Sequence, residues 1–266
     1  MVQGPPYPMS EFMNGLVDLR CHPFAVVARF ERVIAVSFAF PEAVLRPLVP
    51  DGLEIDTHEG LGFLTVAVVW TKKLRPAGFP GFLGQDFLLT GYRVFTRLRE
   101  ESGRRLRGLK IIRSETDKKR MVWAGNLLTA YNYRHVNVRV TESGSETTVE
   151  TSLTDGTRTV VLTFGRPDEE VALPVGSPFG DRHTARLFAG PMPFTFSPRS
   201  DGSFVVVEGS RQDWTPRPIP IKNWEVSLFQ EETFKGTKPI LANAFSVEGV
   251  NYRWEKGRIV SPGKGA

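Results

Sequence analysis

A single cysteine, Cys21, stands among 266 residues, so no disulfide within the chain can hold the fold. No apolar run reaches the roughly 18 residues that a membrane-spanning helix needs. The first residues, MVQGPPYPMSEF, lack the basic start and apolar core of a secretory signal. These absences set the expectation of a cytoplasmic protein with no membrane segment. The four histidines, His22, His58, His135 and His183, are dispersed and form no His-x-x-x-His pair, so no metal site is expected. No Gly-x-Ser-x-Gly elbow and no phosphate loop occurs, and the GLGF at 60–63 leads into an apolar strand pattern rather than a helix. No cofactor is expected.

The charge is uneven. A net +5 is concentrated in a stretch running from Arg97 to Arg120, which holds ten basic residues in all, Lys110, Lys118 and Lys119 among them. Glu100, Glu101, Glu115 and Asp117 interrupt it, and no aromatic residue does. Stacking on bases needs aromatics, so the stretch reads as the solvated face of a hairpin, and nucleic acid is not an expected partner.

Most of the chain alternates like strand. RVIAVSFAF (32–40) is β-branched and aromatic. PEAVLRPLV puts Pro41 and Glu42 where a short helix begins, and a Pro-Asp-Gly turn follows. GLGFLTVAVVW (60–70) is apolar throughout, as in a strand covered on both sides. FLLTGYRVFTRLR (87–99) and RLRGLKIIRS (105–114) flank Ser102-Gly103 as a hairpin. KKRMVWAGNLLTAY (118–131), with Thr116 or Asp117 as its cap, has helical spacing, and Gly125 within it suggests a close packing contact. YRHVNVRV, ETTVETSLT and TRTVVLTFG predict a three-stranded meander. DRHTARLF (181–188) predicts a short helix. FVVVEGSRQDW, EVSLFQEETF and ANAFSVEGVNYRW predict the last strands. The expected organisation is an irregular arm at 1–24, one domain at 25–256 and a flexible tail at 257–266.

Three stretches carry a resemblance. RVIAVSFAFPEAVLRPLVPDGLEID (32–56) is similar to the strand, helix, turn and strand that open acetoacetate decarboxylase. VWAGNLLTAYNYR (122–134) is similar to that enzyme's catalytic segment, which ends Leu-Ser-Ala-Tyr-Pro-Lys-Lys. TGYRVFTRL and DWTPRPIPI (213–221) match the uncharacterised, domain-of-unknown-function branch of the same superfamily. The chain therefore resembles the acetoacetate decarboxylase-like superfamily, and that branch in particular. The implied fold is a β-rich α+β, cone-shaped β-barrel with a few short helices, an internal pocket and a homo-oligomeric assembly.

The same resemblance locates candidate site residues. Arg32 matches an arginine of the active-site charge network, and Arg93 the arginine of the branch's own strand. Where the decarboxylase has its Schiff-base lysine this chain has Tyr133, and where it has the neighbouring lysine it has Arg134. A tyrosine forms no imine with a ketone, so that mechanism is not expected here. Tyr133 is left as a hydrogen-bond or proton donor, or as barrel filling, with His135 on the same strand face as a possible acid–base partner. Arg32, Arg93 and Arg134 are candidates to hold a carboxylate. Two function classes follow: a keto-acid or carboxylate enzyme working without the imine lysine, or a non-catalytic small-ligand-binding barrel.

Overall fold

The strand read at 32–40 is the middle of a longer one. β1 spans Val26–Pro41 and pairs antiparallel on both sides along nearly its whole length. The computed structural model describes residues 19–168, 170–190 and 192–263; the arm as far as residue 18, and the last three residues, fall outside it. After β1 come a helical turn, α1 (Glu42–Leu45), a 3-10 turn and two short strands, β2 (Leu53–Ile55) and β3 (Thr57–His58). The apolar run becomes β4 (Leu61–Pro76), and the hairpin becomes β5 (Gln85–Arg99) and β6 (Arg105–Thr116).

The helix read at 118–131 is α2 (Lys119–Leu128), shorter than expected because Thr129 is already extended. Neither expected cap serves it through the usual side-chain bond. The Asp117 carboxylate instead accepts from the Leu88 amide at 2.9 Å and ties the helix start to β5.

The meander needs one correction. Its first expected strand divides at Val136. β7 (Tyr133–His135) runs parallel to β6, while β8 (Asn137–Ser143), β9 (Glu146–Ser152) and β10 (Arg158–Phe164) form a separate sheet. The short helix is present as α3 (Arg182–Phe188), with Asp181 accepting from the Thr184 amide as its N-cap. β11 (Phe194–Pro198), which the sequence reading passed over, and β12 (Phe204–Arg211) follow. A two-residue strand, β13 (Arg217–Pro218), leads to β14 (Ile221–Val226). Of the strand expected at 225–234 only Glu225 and Val226 are extended, as the end of β14, and two 3-10 turns follow that bury Leu228, Phe229 and Phe234. β15 (Ile240–Trp254) and β16 (Arg258–Val260) close the chain, and β16 pairs with β12 inside the region read as a tail.

Seven strands close on themselves in the order β15, β1, β4, β5, β6, β11, β12, and a β12–β15 pairing completes the ring. All ring neighbours are antiparallel except β6 and β11. Alternation gives each ring strand an inner and an outer face. On β1, Val33 and Ala35 face inward, while Ile34, Val36, Phe38 and Phe40 face outward into a large apolar core. The second sheet, in the order β14, β10, β9, β8, covers that outer face through Val149, Val160, Leu162 and Phe164. This is why Gly62–Val69 are all buried and the segment reads as apolar throughout. Each fully buried Phe in this layer contributes roughly 1.5–3 kcal/mol by removal from water.

Candidate functional site

The ring's inner face does not fill completely. It leaves a chamber of about 110 Å³ to which all seven ring strands contribute a side chain. Most of the wall is apolar: Val33, Ala67, Val69, Phe95, Leu109 and Ile111 among others. Arg93 and Arg211 bring two positive charges, and among the described residues no carboxylate and no lysine belongs to the lining.

Arg93 owes its inward direction to its parity on β5. Its neighbour Tyr92 points the other way, into the outer core. A bulge between Tyr92 and Arg93 shifts the pairing with β6, so Tyr92 opposes Arg113 and Arg93 opposes Ile111. Gly91 leaves space for the guanidinium, since a Cβ there would lie 2.9 Å from Arg93 Nε. That Nε is buried and has no hydrogen-bond partner among the described residues. No ion pair among the described residues involves Arg93 either. Burial lowers its affinity for its proton, and the nearby Tyr252, Tyr133 and Tyr131 raise it. A second buried donor, Trp214 Nε1, lines the same chamber and is equally without an acceptor. Trp214 is not among the expected site residues and stands only within the DWTPRPIPI stretch; its indole lies edge-on to Phe245 of β15.

Tyrosines crowd the Arg93 side. Tyr252 sits at the end of β15, its ring allowed by the missing side chain of Gly209, and burial raises its pKa while Arg211 and Arg93 oppose the rise. The Tyr131 hydroxyl pairs with Thr195 Oγ1 at 2.8 Å, and burial pushes its pKa up to about 12. Tyr133 is held by its backbone: the Asn126 amide accepts from its N–H and donates to its carbonyl, both at 2.8 Å. Asn132, at φ 53, makes the turn that delivers it, and its side chain donates to the Ile112 carbonyl on the bulged stretch of β6. Gly125 supplies the close contact that its place in the helix suggested: a Cβ there would stand 2.5 Å from Tyr133 Cε2. The Tyr133 pKa is raised, by burial first and by Tyr131 second, with Arg93 opposing. These tyrosines are neutral donors at physiological pH.

Tyr131 and Tyr133 line a second cavity of about 240 Å³, beneath α2, which shares Trp254 with the inner chamber. On the opposite side, Ala189, Gly190 and Phe245 belong both to the chamber and to a surface recess of about 410 Å³. Arg182, His183 and Arg186 of α3 line that recess.

The other candidates lie elsewhere. Arg32 faces outward, its guanidinium between the Trp70 and Phe164 rings and 3.9 Å from Glu248, so it is outside the chamber. Arg134 is engaged by the fully buried Glu115, donating Nε–H at 2.8 Å and a second, shorter bond from Nη2. The Tyr92 and Thr159 hydroxyls donate to the other Glu115 oxygen at 2.9 and 2.8 Å. His135 shares the Tyr133 side of β7 but lines a shallow recess with Lys119, Val122 and Trp123, not the Tyr133 cavity. Lys118 is exposed and pairs with Asp117, and Lys119 is exposed. Lys110 is desolvated, and burial lowers its pKa. It lies between the inward Leu109 and Ile111, however, and so faces away from the chamber. The basic stretch is partly neutralised as well: Arg97 and Arg107 both pair with buried Asp56, and Arg113 pairs with Glu231. Among the described residues no cluster of side chains is arranged to hold a metal ion, and no helix is long and apolar enough to cross a membrane.

Residues 27–248 match the sequence family DUF2071, described as an uncharacterized conserved protein. No curated protein sequence matches the chain. Several solved structures share its architecture. Acetoacetate decarboxylase from Legionella pneumophila subsp. pneumophila str. Philadelphia 1 superposes with a TM-score of 0.57 at 13% identity, over 89% of this chain and 88% of that one. An acetoacetate decarboxylase-like enzyme from Sphingomonas wittichii RW1 gives 0.57 at 12%, over 91% and 94%. The enduracididine biosynthesis enzyme MppR, complexed with pyruvate, gives 0.51 at 12%, over 90% and 88%. At such identities the likeness establishes the cone-like, β-rich fold.

Proposed function

The chain belongs to the DUF2071 family and has an acetoacetate decarboxylase-like fold, and we propose that its inner chamber binds a small carboxylate of the keto-acid kind. Arg93 carries the reading. Arg93 is half-buried, but its Nε is buried with no acceptor among the described residues; leaving a charged donor so placed unpaired is costly, and an anionic ligand offsets that cost. Trp214 Nε1 adds a second donor with no acceptor, so the chamber offers hydrogen bonds outward and asks for an acceptor. The size agrees: about 110 Å³ is well below the roughly 300–1,000 Å³ of drug-sized pockets and suits a few heavy atoms. The pyruvate held by MppR, a protein of the same fold, supports the keto-acid class.

The chemistry of the lining favours binding over turnover. Among the described residues it has no lysine to form an imine and no carboxylate to act as a base. A second reading, catalysis with Tyr133 as proton donor, draws on one observation: the Tyr133 hydroxyl has no hydrogen-bond partner among the described residues and lies near enough to Arg93 to feel its charge.

Titration calorimetry with pyruvate, acetoacetate and acetate on the wild type and Arg93→Met tests the reading. A charge-assisted bond contributes roughly 1.5–3 kcal/mol, so the variant is expected to lose about tenfold or more in affinity. Equal affinities would remove Arg93 from the reading. Borohydride trapping with the same acids, read by intact mass, is expected to yield no adduct; an adduct mapped to one lysine would restore the imine mechanism. Consumption of the keto acid by the wild type, lost in Tyr133→Phe, would move the assignment to the enzyme class.

A further inference from the structure

The cavity beneath α2 is lined differently from the chamber, and its one arginine, Arg75, is taken up by backbone carbonyls. Its wall is mainly apolar, including Phe24, Val26, Leu74, Met121, Ala124 and Leu128, and among the described residues it contains no carboxylate and no lysine. Three of its polar side chains are engaged within the protein, while His22 Nδ1 and the Tyr133 hydroxyl have no hydrogen-bond partner among the described residues. Arg75 donates to the Phe79 and Lys73 carbonyls, Thr129 Oγ1 to the Gly125 carbonyl, and the Tyr131 hydroxyl pairs with Thr195. A cavity of this kind takes up apolar matter in preference to water.

The cavity stands one side chain away from the inner chamber. Trp254 lines both. The Tyr131–Thr195 bond joins a residue of the outer wall to a residue of the inner one. Tyr133, on the outer wall, shares an electrostatic interaction with Arg93 on the inner one. We infer that the two spaces form one bipartite ligand site, and that the physiological ligand is a carboxylic acid carrying an apolar tail. Its carboxylate lies at Arg93, and its short alkyl or aryl tail passes the edge of Trp254 into the α2 cavity. This inference rests on the carboxylate reading of Arg93 and extends it to a substrate class.

The test compares pyruvate with 2-oxohexanoate and phenylpyruvate by calorimetry on wild type, Arg93→Met and Ala124→Phe, with folding checked by circular dichroism. Each buried methylene adds roughly fourfold to affinity, so the tailed acids are expected to bind at least about tenfold more tightly than pyruvate. Ala124→Phe fills the α2 cavity and is expected to erase that gain while pyruvate binding stays within about twofold. Arg93→Met is expected to weaken all three acids alike. As a measurement independent of the variants, phenylpyruvate is expected to shift the methyl resonances of Met121 and Leu128 in the wild type, and pyruvate to leave them in place. Tailed acids that bind no better than pyruvate, or unshifted methyls, would overturn the tail site and leave the Arg93 site standing. If no acid binds the wild type, the Arg93 reading fails, and the tail site with it.

Discussion

The guanidinium of Arg93 folds back over Gly91, two residues earlier on the same strand face, and the contact leaves no room for a methyl group. An added Cβ would meet Nε at 2.9 Å and Nη2 at 3.1 Å. The atoms that must give way are the mobile end of a side chain, not backbone. Gly91→Ala is therefore expected to leave stability nearly unchanged and to displace the guanidinium. Carboxylate affinity should fall about tenfold, the loss of one well-placed charge-assisted bond, while the thermal midpoint moves by no more than about 2 °C. Calorimetry beside a thermal melt separates the two; a large fall in midpoint with affinity retained would contradict this.

Gly125 is a different case. It sits inside α2, where alanine is normally the better residue by about 1 kcal/mol. Here the added methyl would press on the Tyr133 ring, which Asn126 holds in place through two backbone hydrogen bonds. Overpacking of this kind costs about 1–3 kcal/mol. Gly125→Ala should be destabilising in urea unfolding, against the helix-propensity trend. A stabilised variant would mean that the ring moves aside freely.

Arg134 and Arg93 were both expected to hold a carboxylate, and their replacement should separate them. Removing Arg134 leaves the Glu115 carboxylate buried with only two hydroxyl donors. A half-broken buried pair costs about 3 kcal/mol or more. Arg134→Ala is thus expected to unfold at markedly lower denaturant while the folded fraction still binds carboxylate. The double variant Glu115→Gln/Arg134→Met should recover part of the loss. Full stability with lost binding would reassign Arg134 to the ligand.

Burial raises the pKa of several tyrosines, Tyr131 to about 12, and the consequence for stability has a definite sign. A free tyrosine ionises near pH 10. Above that pH the unfolded chain releases protons that the folded chain retains, so alkali favours unfolding. Stability should be complete below about pH 10 and decline as the pH rises toward 12. Phenolate absorbance followed beside circular dichroism should show these tyrosines ionising together with unfolding. Ionisation in the folded state near pH 10 would refute their burial.

Sequence alone located much of this fold and part of its site. β4 was legible because it is buried on both faces, which leaves no polar alternation. The Gly125–Tyr133 contact was half visible, since glycine inside a helical pattern requires a reason. The arginines were harder. A strand residue's face follows from its parity: Arg93 keeps the unbroken alternation of β5, whereas the bulge between Phe30 and Arg32 resets the parity of β1. Arg32 therefore turned outward and Arg93 inward, although both looked equally like pocket residues. Arg134 was indistinguishable from a ligand clamp because its partner is 19 residues away on another strand. The 225–234 stretch alternates like a strand, yet its apolar residues Leu228, Phe229 and Phe234 are buried from 3-10 turns. The division of β7 from β8 at Val136 left no mark either, because both halves have the composition of strand.

Glu115 accepts hydrogen bonds from Arg134 on β7, Tyr92 on β5 and Thr159 on β10, so one carboxylate fastens the second sheet to the ring. For β10 to lift away alone, a charge would have to lose a donor while Val160 and Leu162 became wet. Partial opening at that seam therefore costs several kcal/mol. Amide protons of β9 and β10 should exchange with deuterium slowly rather than through local fraying, even though this small sheet lies outside the closed ring.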